Sequence, residues 1–271
     1  MNETDLQRRF DFASRLIEEA GTVAHGYFRR LGTLTIKSKG LQDMASEADL
    51  NTEILIRDRL KAAFPADAFL GEETGRDALG DAEGIWVVDP IDGTQPFVSG
   101  MGGWCVSIAF VAHGRLEMGF VTSPVREETY IGRRHYGATL NGDAIQVSKA
   151  TRLTEGMVGV GYSPRVGPED FLPMFGHLLR QGAMFYREGS GALTLCSVAA
   201  GRLIGYIEPH INSWDCLGAL AVIEGAGGHF NDFLAGDGLW SGNRLIAGPA
   251  ALLPALESCF KMDRLDPPHA R

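Results

Sequence analysis

Trp86-Val-Val-Asp89-Pro-Ile-Asp92-Gly-Thr94 decides how this chain is read. Ile85 to Val88 reads as a strand that runs directly into two carboxylates three positions apart. The proline between them opposes a relaxed continuation of the strand and stiffens the turn. Gly93 permits a backbone angle or a close approach that a Cβ would block, and Thr94 places a hydroxyl at the start of the next element. Two acids this close at the end of a buried strand repel each other unless positive charge lies between them. A divalent metal with hard oxygen ligands, and an anionic substrate beyond it, is the economical solution.

The bulk properties fit that solution. The 271 residues suffice for one large domain or two small ones. Hydrophobic residues make up 45% and charged residues 22%, ordinary values for a globular protein. A net charge of −9 argues against a nucleic-acid-coating surface. An acidic chain that handles phosphates needs local cations, which metals provide. Cys105, Cys196, Cys216 and Cys259 show no zinc-type spacing and sit in apolar surroundings, as reduced buried thiols of a cytoplasmic protein do. The N-terminus carries no apolar signal core and no run approaches a membrane span.

Upstream, Leu6, Phe10, Ala13, Ile17, Ala20, Ala24, Tyr27 and Leu31 predict a long amphipathic helix. Lys37, Lys39 and Gly40 read as a polar loop. A second helix is expected from Ser46 to Phe64, with Asp49 as its capping-box partner; Asp49 is either that helix-start carboxylate or a member of an acidic site. Phe69-Leu70-Gly71-Glu72-Glu73 is a short apolar run ending in two acids. A lone acidic pair is usually a solvated turn, but this one precedes Asp89 by only a Gly- and Asp-rich loop.

Downstream, Trp104–Ala112, Leu116–Val121 and Thr129–Arg133 read as strands joined by tight turns at His113-Gly114 and Asn141-Gly142, an antiparallel meander. His113 and His135 fall at turns, with no nucleophile motif beside them. From about residue 150 strands and helices alternate, so the chain divides into a 1–149 half and a 150–271 half. In the second half Leu203 to Ile207 is a strand ending at Glu208, Gly189-Ser190-Gly191 and Trp214-Asp215 open helices, and Pro249 to Phe260 is a closing helix. Asp215, flanked by apolar residues, is either an N-cap or the distal member of the metal cluster.

Gly71-Glu72-Glu73, Asp89-Pro-Ile-Asp92-Gly-Thr94 and Trp214-Asp215 followed by Gly225-Ala-Gly-Gly228 resemble the inositol monophosphatase family, part of the lithium-sensitive, magnesium-dependent sugar phosphatases, over nearly the whole chain. The resemblance implies an αβαβα sandwich and, usually, a homodimer. It implies one Mg2+ held by Glu72, Asp89 and the Ile91 carbonyl, and a second by Asp89, Asp92 and Asp215. A third, weaker ion would lie near Glu72, with Glu73 and Asp49 in its outer shell. Thr94 with Glu72 would activate water, the Gly93 and Thr94 N–H groups would hold phosphate, and Ser190, Gly191 and Glu208 would meet substrate hydroxyls. The implied activity is hydrolysis of a small polyol phosphate monoester, inositol 1-phosphate first. Histidinol phosphate, fructose 1,6-bisphosphate and a 3′-phosphoadenosine nucleotide are alternatives on the same scaffold, and a non-catalytic metal- or sugar-phosphate-binding regulator is an alternative of another class. Gln95, Pro96 and Gly191 depart from the family pattern, and Pro96 removes a donor close to the phosphate loop.

Overall fold

The structure is a computed structural model describing residues 1–33, 36–40, 43–78 and 82–261. In chain order the helices are α1 (Glu3–Phe28), α2 (Glu47–Ala63), α3 (Thr94–Val98), α4 (Pro168–Arg180), α5 (Gly191–Ala199), α6 (Ser213–Gly225), α7 (Gly238–Ser241) and α8 (Leu253–Ser258). The strands are β1 (Ile36–Gly40), β2 (Asp43–Ser46), β3 (Ala68–Gly71), β4 (Gly75–Arg76), β5 (Gly84–Asp92), β6 (Cys105–Ala112), β7 (Arg115–Ser123), β8 (Glu128–Arg133), β9 (Gly137–Leu140) and β10 (Asp143–Ala144). They continue with β11 (Met157–Val160), β12 (Met184–Tyr186), β13 (Gly205–Ile211), β14 (His229–Phe230) and β15 (Asn243–Gly248).

An eight-stranded sheet runs in the order β10-β9-β8-β7-β6-β5-β3-β4 and a five-stranded sheet in the order β12-β11-β13-β15-β14. From β6 to β10 the larger sheet is the predicted antiparallel meander; β5 pairs antiparallel with β6, and β3 joins β5 in parallel. Its two tight turns take the left-handed conformation, with His113 at φ 50° and Gly114 at 72°, and Asn141 at 52° and Gly142 at 87°. In the smaller sheet β11, β12 and β13 are parallel.

Alternation along β5 explains the layering. Trp86 and Val88 face one side, packing with Leu16 and Ile17 of α1 and Ile56 and Leu60 of α2. Ile85 and Val87 face the other, where α5 and α6 supply Leu193, Leu195, Leu217 and Leu220 and the smaller sheet supplies Tyr206 and Leu245. Beyond that sheet, Val158, Ile207 and Ile246 meet Met174 and Leu178 of α4 with Leu252 and Leu256. Helix, sheet, helix, sheet, helix is therefore the order of layers, as expected. Each fully buried Leu or Ile contributes about 1.5–3 kcal/mol.

Several elements differ from the sequence reading. The strand does not stop at Val88. It continues through Pro90 to Asp92, with a bulge where the β6 register shifts between Asp89 and Asp92. The missing proline N–H falls in that bulge, past the last paired residues on the β3 side, Gly71 and Val88, so no ladder bond is sacrificed. The polar loop around Lys37 is instead a β1–β2 hairpin. β13 runs beyond Glu208 to Ile211, again with a bulge. The closing helix starts at Leu253, because a turn closed by Leu252 N–H donating to the Pro249 carbonyl precedes it. The Ser46 side chain, and residues 79–81 of the Gly- and Asp-rich loop, lie outside the described residues. The four cysteines are free and buried. Among the described residues no helix is long and apolar enough to cross a membrane.

Candidate active site

The bulge that ends β5 turns both of its acids inward. Asp89 accepts the Ile91 N–H (2.9 Å), a short loop back that fixes the carboxylate over the strand end. Asp92 reaches across to the first turn of α5. There it accepts the Ser190 hydroxyl at 2.5 Å, the Ala192 N–H at 2.7 Å and the Gly191 N–H at 3.3 Å. These are N–H groups that a helix cannot satisfy internally, and the helix dipole favours an anion at that end. Ser190 is also the N-cap of α5, accepting from the Leu193 N–H.

Asp215 arrives from α6. Its side chain accepts the Asn212 N–H (3.3 Å), completing a capping box at the helix start. Both sequence readings of this residue hold at once: it caps α6, and it lies with Asp89 and Asp92 in a cluster whose oxygen atoms are within 4.8 Å of one another. Gly93 makes the turn into α3 at φ 95°, packed so tightly that a Cβ would lie 2.8 Å from the Gly103 carbonyl.

Thr94 then starts α3, and its hydroxyl can donate to Asp49 (3.3 Å) or to the Ile91 carbonyl (3.2 Å). Asp49, fully buried in the first turn of α2, is thus tied to the site through Thr94. Glu72 follows β3 in a turn held by Glu53 of α2, whose buried carboxylate accepts the N–H groups of Glu73 (2.9 Å) and Thr74 (2.6 Å).

These residues open onto one cleft of about 940 Å³. Its lining includes Glu72, Asp89, Ile91, Asp92, Gly93, Thr94, Ser190, Gly191, Glu208 and Asp215. Of the residues singled out in the sequence, Asp49 and Glu73 stand behind the surface instead. Ser190 and Gly191, expected against substrate, are engaged with Asp92.

Burial and neighbouring carboxylates set the electrostatics of the site. Burial, reinforced by Glu72, Asp92 and Asp215, pushes Asp89 well above the usual carboxylate range. Burial and Asp215 push Asp92 up to about 7 despite its hydrogen bonds. Asp215 is raised by burial, with Arg165 opposing. Glu208 is pushed up to about 8 by burial, with Asp215 and Asp92 adding to the rise. The Tyr206 hydroxyl donating to it at 2.6 Å, and Arg187, pull the other way. Such a set suits a hard divalent cation, which would neutralise the charge that burial penalises.

The sequence reading missed Glu53, Tyr206, Arg165 and Arg187. Glu53 is hidden in an ordinary helical pattern. The arginines lie in loops after β11 and β12, where no periodicity marks them.

A layered α/β phosphatase with an acidic ion-binding centre is the class that this fold and site define. The chain belongs to the inositol monophosphatase family, whose model matches residues 5–259. The "Nus factor SuhB" of Pseudomonas aeruginosa is 33% identical over 258 residues, covering 93% of this chain and 95% of that protein. Among solved structures, the extragenic suppressor protein suhB of Bartonella henselae superposes with a TM-score of 0.86 at 28% identity, covering 93% of this chain and 97% of that one. The inositol monophosphatase of Anabaena gives 0.82 at 28% identity, with 96% and 98% covered.

Proposed function

We propose that the chain hydrolyses a small polyol phosphate monoester, myo-inositol 1-phosphate first among them, to the alcohol and phosphate with Mg2+. The observation that carries this reading is the convergence of Asp89, Asp92 and Asp215, from three stretches of structure, beside a hydroxyl–carboxylate pair in one cleft. Glu72, Asp89 and the Ile91 carbonyl would hold one ion, and Asp89, Asp92 and Asp215 another. Glu73 and Asp49 would stand in the outer shell of a third, weaker ion near Glu72. When bound, the ions supply Lewis acidity that draws charge from the phosphate oxygens and makes water more acidic.

The chain's own groups do the rest. Thr94, donating its proton to Asp49, keeps lone pairs free to accept a hydrogen bond from the attacking water, and Asp49 is placed to take the proton onward. Glu72 faces the same water from the β3 side. The N–H groups of Gly93 and Thr94 lie in the first turn of α3, without helical partners, and orient phosphate oxygens. Pro96 occupies a first-turn position whose N–H the helix does not use, so its loss costs the helix nothing and the phosphate one donor. Glu208, protonated up to about pH 8 in the ion-free site, can donate to a polyol hydroxyl as well as accept from one. Ser190 and Gly191 shape the floor beneath the substrate. By the family resemblance the working form is a homodimer in the cytoplasm.

Phosphate release from inositol 1-phosphate, histidinol phosphate, fructose 1,6-bisphosphate and 3′-phosphoadenosine 5′-phosphate, with Mg2+ and with chelator, tests the reading. The expected result is chelator-sensitive release, fastest from the inositol ester. Asp92→Asn should lower it by roughly 10²–10³-fold or more while the protein stays folded; undiminished turnover in that variant would remove the mechanism. The curated relatives' name, Nus factor, offers a second role that needs no turnover. A cellular role that survives Asp92→Asn would identify it.

A further inference from the structure

Arg165 and Arg187 have no use in the mechanism above, yet both line its cleft. They come off the ends of adjacent parallel strands, Arg187 directly after β12 and Arg165 from the segment after β11. Loops at the carboxyl ends of parallel strands are where open sheets bind ligands.

The two guanidinium groups are tethered to neighbouring residues. Arg187 donates from Nη2 to the Tyr162 carbonyl at 3.4 Å, and Arg165 from Nη1 to the Ser163 hydroxyl at 2.9 Å. Both side chains are exposed. Among the described residues neither forms an ion pair, although ten other arginine–carboxylate pairs are formed. Two exposed cations on the lining of one cleft, neither in an ion pair, make that end of the cleft attractive to an anion. Of the acids lining the cleft, Asp215 feels Arg165 and Glu208 feels Arg187, while Glu188 is paired with Arg126. Asp215 is committed to the ion cluster, and Glu208 to the Tyr206 hydroxyl. Each guanidinium spends one donor on its tether, and a guanidinium's remaining donors have the fork geometry that grips phosphate or carboxylate.

We infer that Arg165 and Arg187 form a second anion subsite, so that of two otherwise matched phosphate monoesters the one carrying a further phosphate or carboxylate group at its other end binds more tightly. This rests on the phosphatase reading and narrows it. The transferred phosphate sits over the Asp89–Asp92–Asp215 cluster. The second anion lies under the β11 and β12 loops and contributes through binding, so it lowers KM more than it raises kcat.

Two matched pairs of substrates test it under saturating Mg2+. Fructose 1,6-bisphosphate against fructose 1-phosphate reads a second phosphate, and 3-phosphoglycerate against glycerol 1-phosphate reads a carboxylate. At least one charged member should exceed its neutral partner roughly tenfold in kcat/KM, mainly through KM. In the Arg165→Gln/Arg187→Gln double variant that ratio should fall toward one. The pair that shows the preference identifies the anion. Ratios near one in the parent protein for both pairs, or a preference that survives the double substitution, overturn the subsite. Calorimetric binding of the same four compounds decides the question separately from turnover. If neither these four nor inositol 1-phosphate is hydrolysed, the phosphatase reading fails, but tighter binding of a charged member that the double variant loses still upholds the subsite, and equal binding sinks it.

Discussion

At the scale of single residues, the site is a set of carboxyl groups whose ionisation is opposed by burial and by one another. Asp92 is pushed up to about 7 and Glu208 to about 8, and Asp89 and Asp215 are raised as well. In the unfolded chain such groups titrate near 4. Between those limits the ion-free native state binds more protons than the unfolded one, so stability falls as pH rises. The stabilisation is complete below about pH 4 and is lost as pH passes through the folded values near 7 and 8. Thermal unfolding of chelated protein should therefore show a falling Tm between pH 5 and pH 8.5, and Mg2+ should raise Tm most at the alkaline end. A Tm that climbs with pH in chelator would contradict the mutual repulsion of these buried acids. Asp89 and Asp92 were legible in the sequence because they fall with Thr94 in one short stretch. Their hydrogen-bond partners were not, since Ser190 and Ala192 lie about a hundred positions away and meet Asp92 only through the sheet–helix packing.

At the scale of elements, short turns aim the chemistry and longer elements hold the turns. The turn that carries Glu72 is gripped from α2, where Glu53 is buried and satisfied by two backbone N–H groups. Gly71 allows that grip, because a Cβ there would fall 2.4 Å from the Glu53 carboxylate. Glu53→Ala should leave two N–H groups without their acceptor, at a cost of about 2 kcal/mol. By loosening Glu72 it should also weaken Mg2+ affinity roughly 10–100-fold. Urea unfolding and a metal titration of turnover would measure both; a stability loss with unchanged metal dependence would confine Glu53 to folding. Elements with strong periodicity, such as α1 and β6, were read nearly to their ends. The β1–β2 hairpin was not, because Lys37 and Lys39 give it no apolar alternation. Nor was the strand through Pro90, since the bulge that accommodates it depends on where β6 changes register.

At the scale of the whole molecule, the position of Asp215 depends on how closely α6 lies against the large sheet. Gly119 and Gly132 make that approach possible. A Cβ at Gly119 would stand 2.1 Å from the Gly218 carbonyl, and one at Gly132 would stand 2.3 Å from the Val222 Cα. Backbone against backbone leaves nothing flexible to yield. Gly132→Ala should cost about 2–3 kcal/mol and push α6, with Asp215, away from Asp89, so Mg2+-dependent turnover should fall along with stability. Denaturant melts combined with metal titrations would check this, and an unaltered midpoint would refute the packing account. The layering was expected from the family resemblance, while the switch from a meander to alternating strands and helices marked only a change of pattern near residue 150. The sequence could not announce the spacing of the layers, because a glycine in a strand looks the same whether it faces solvent or a helix.

The cleft draws its parts from different layers. Glu72, Asp89, Asp92 and Thr94 belong to the large sheet and the turns at its edge, whereas Glu208, Arg165 and Arg187 hang from the small one. Under the proposed roles, bond-breaking would draw on the large sheet together with Asp215 of α6, and selectivity on the loops of the small sheet. On that assignment, mutational drift around Arg165 and Arg187, away from the Ser190 contact with Asp92, would retune which ester is accepted with little effect on the groups that cleave it.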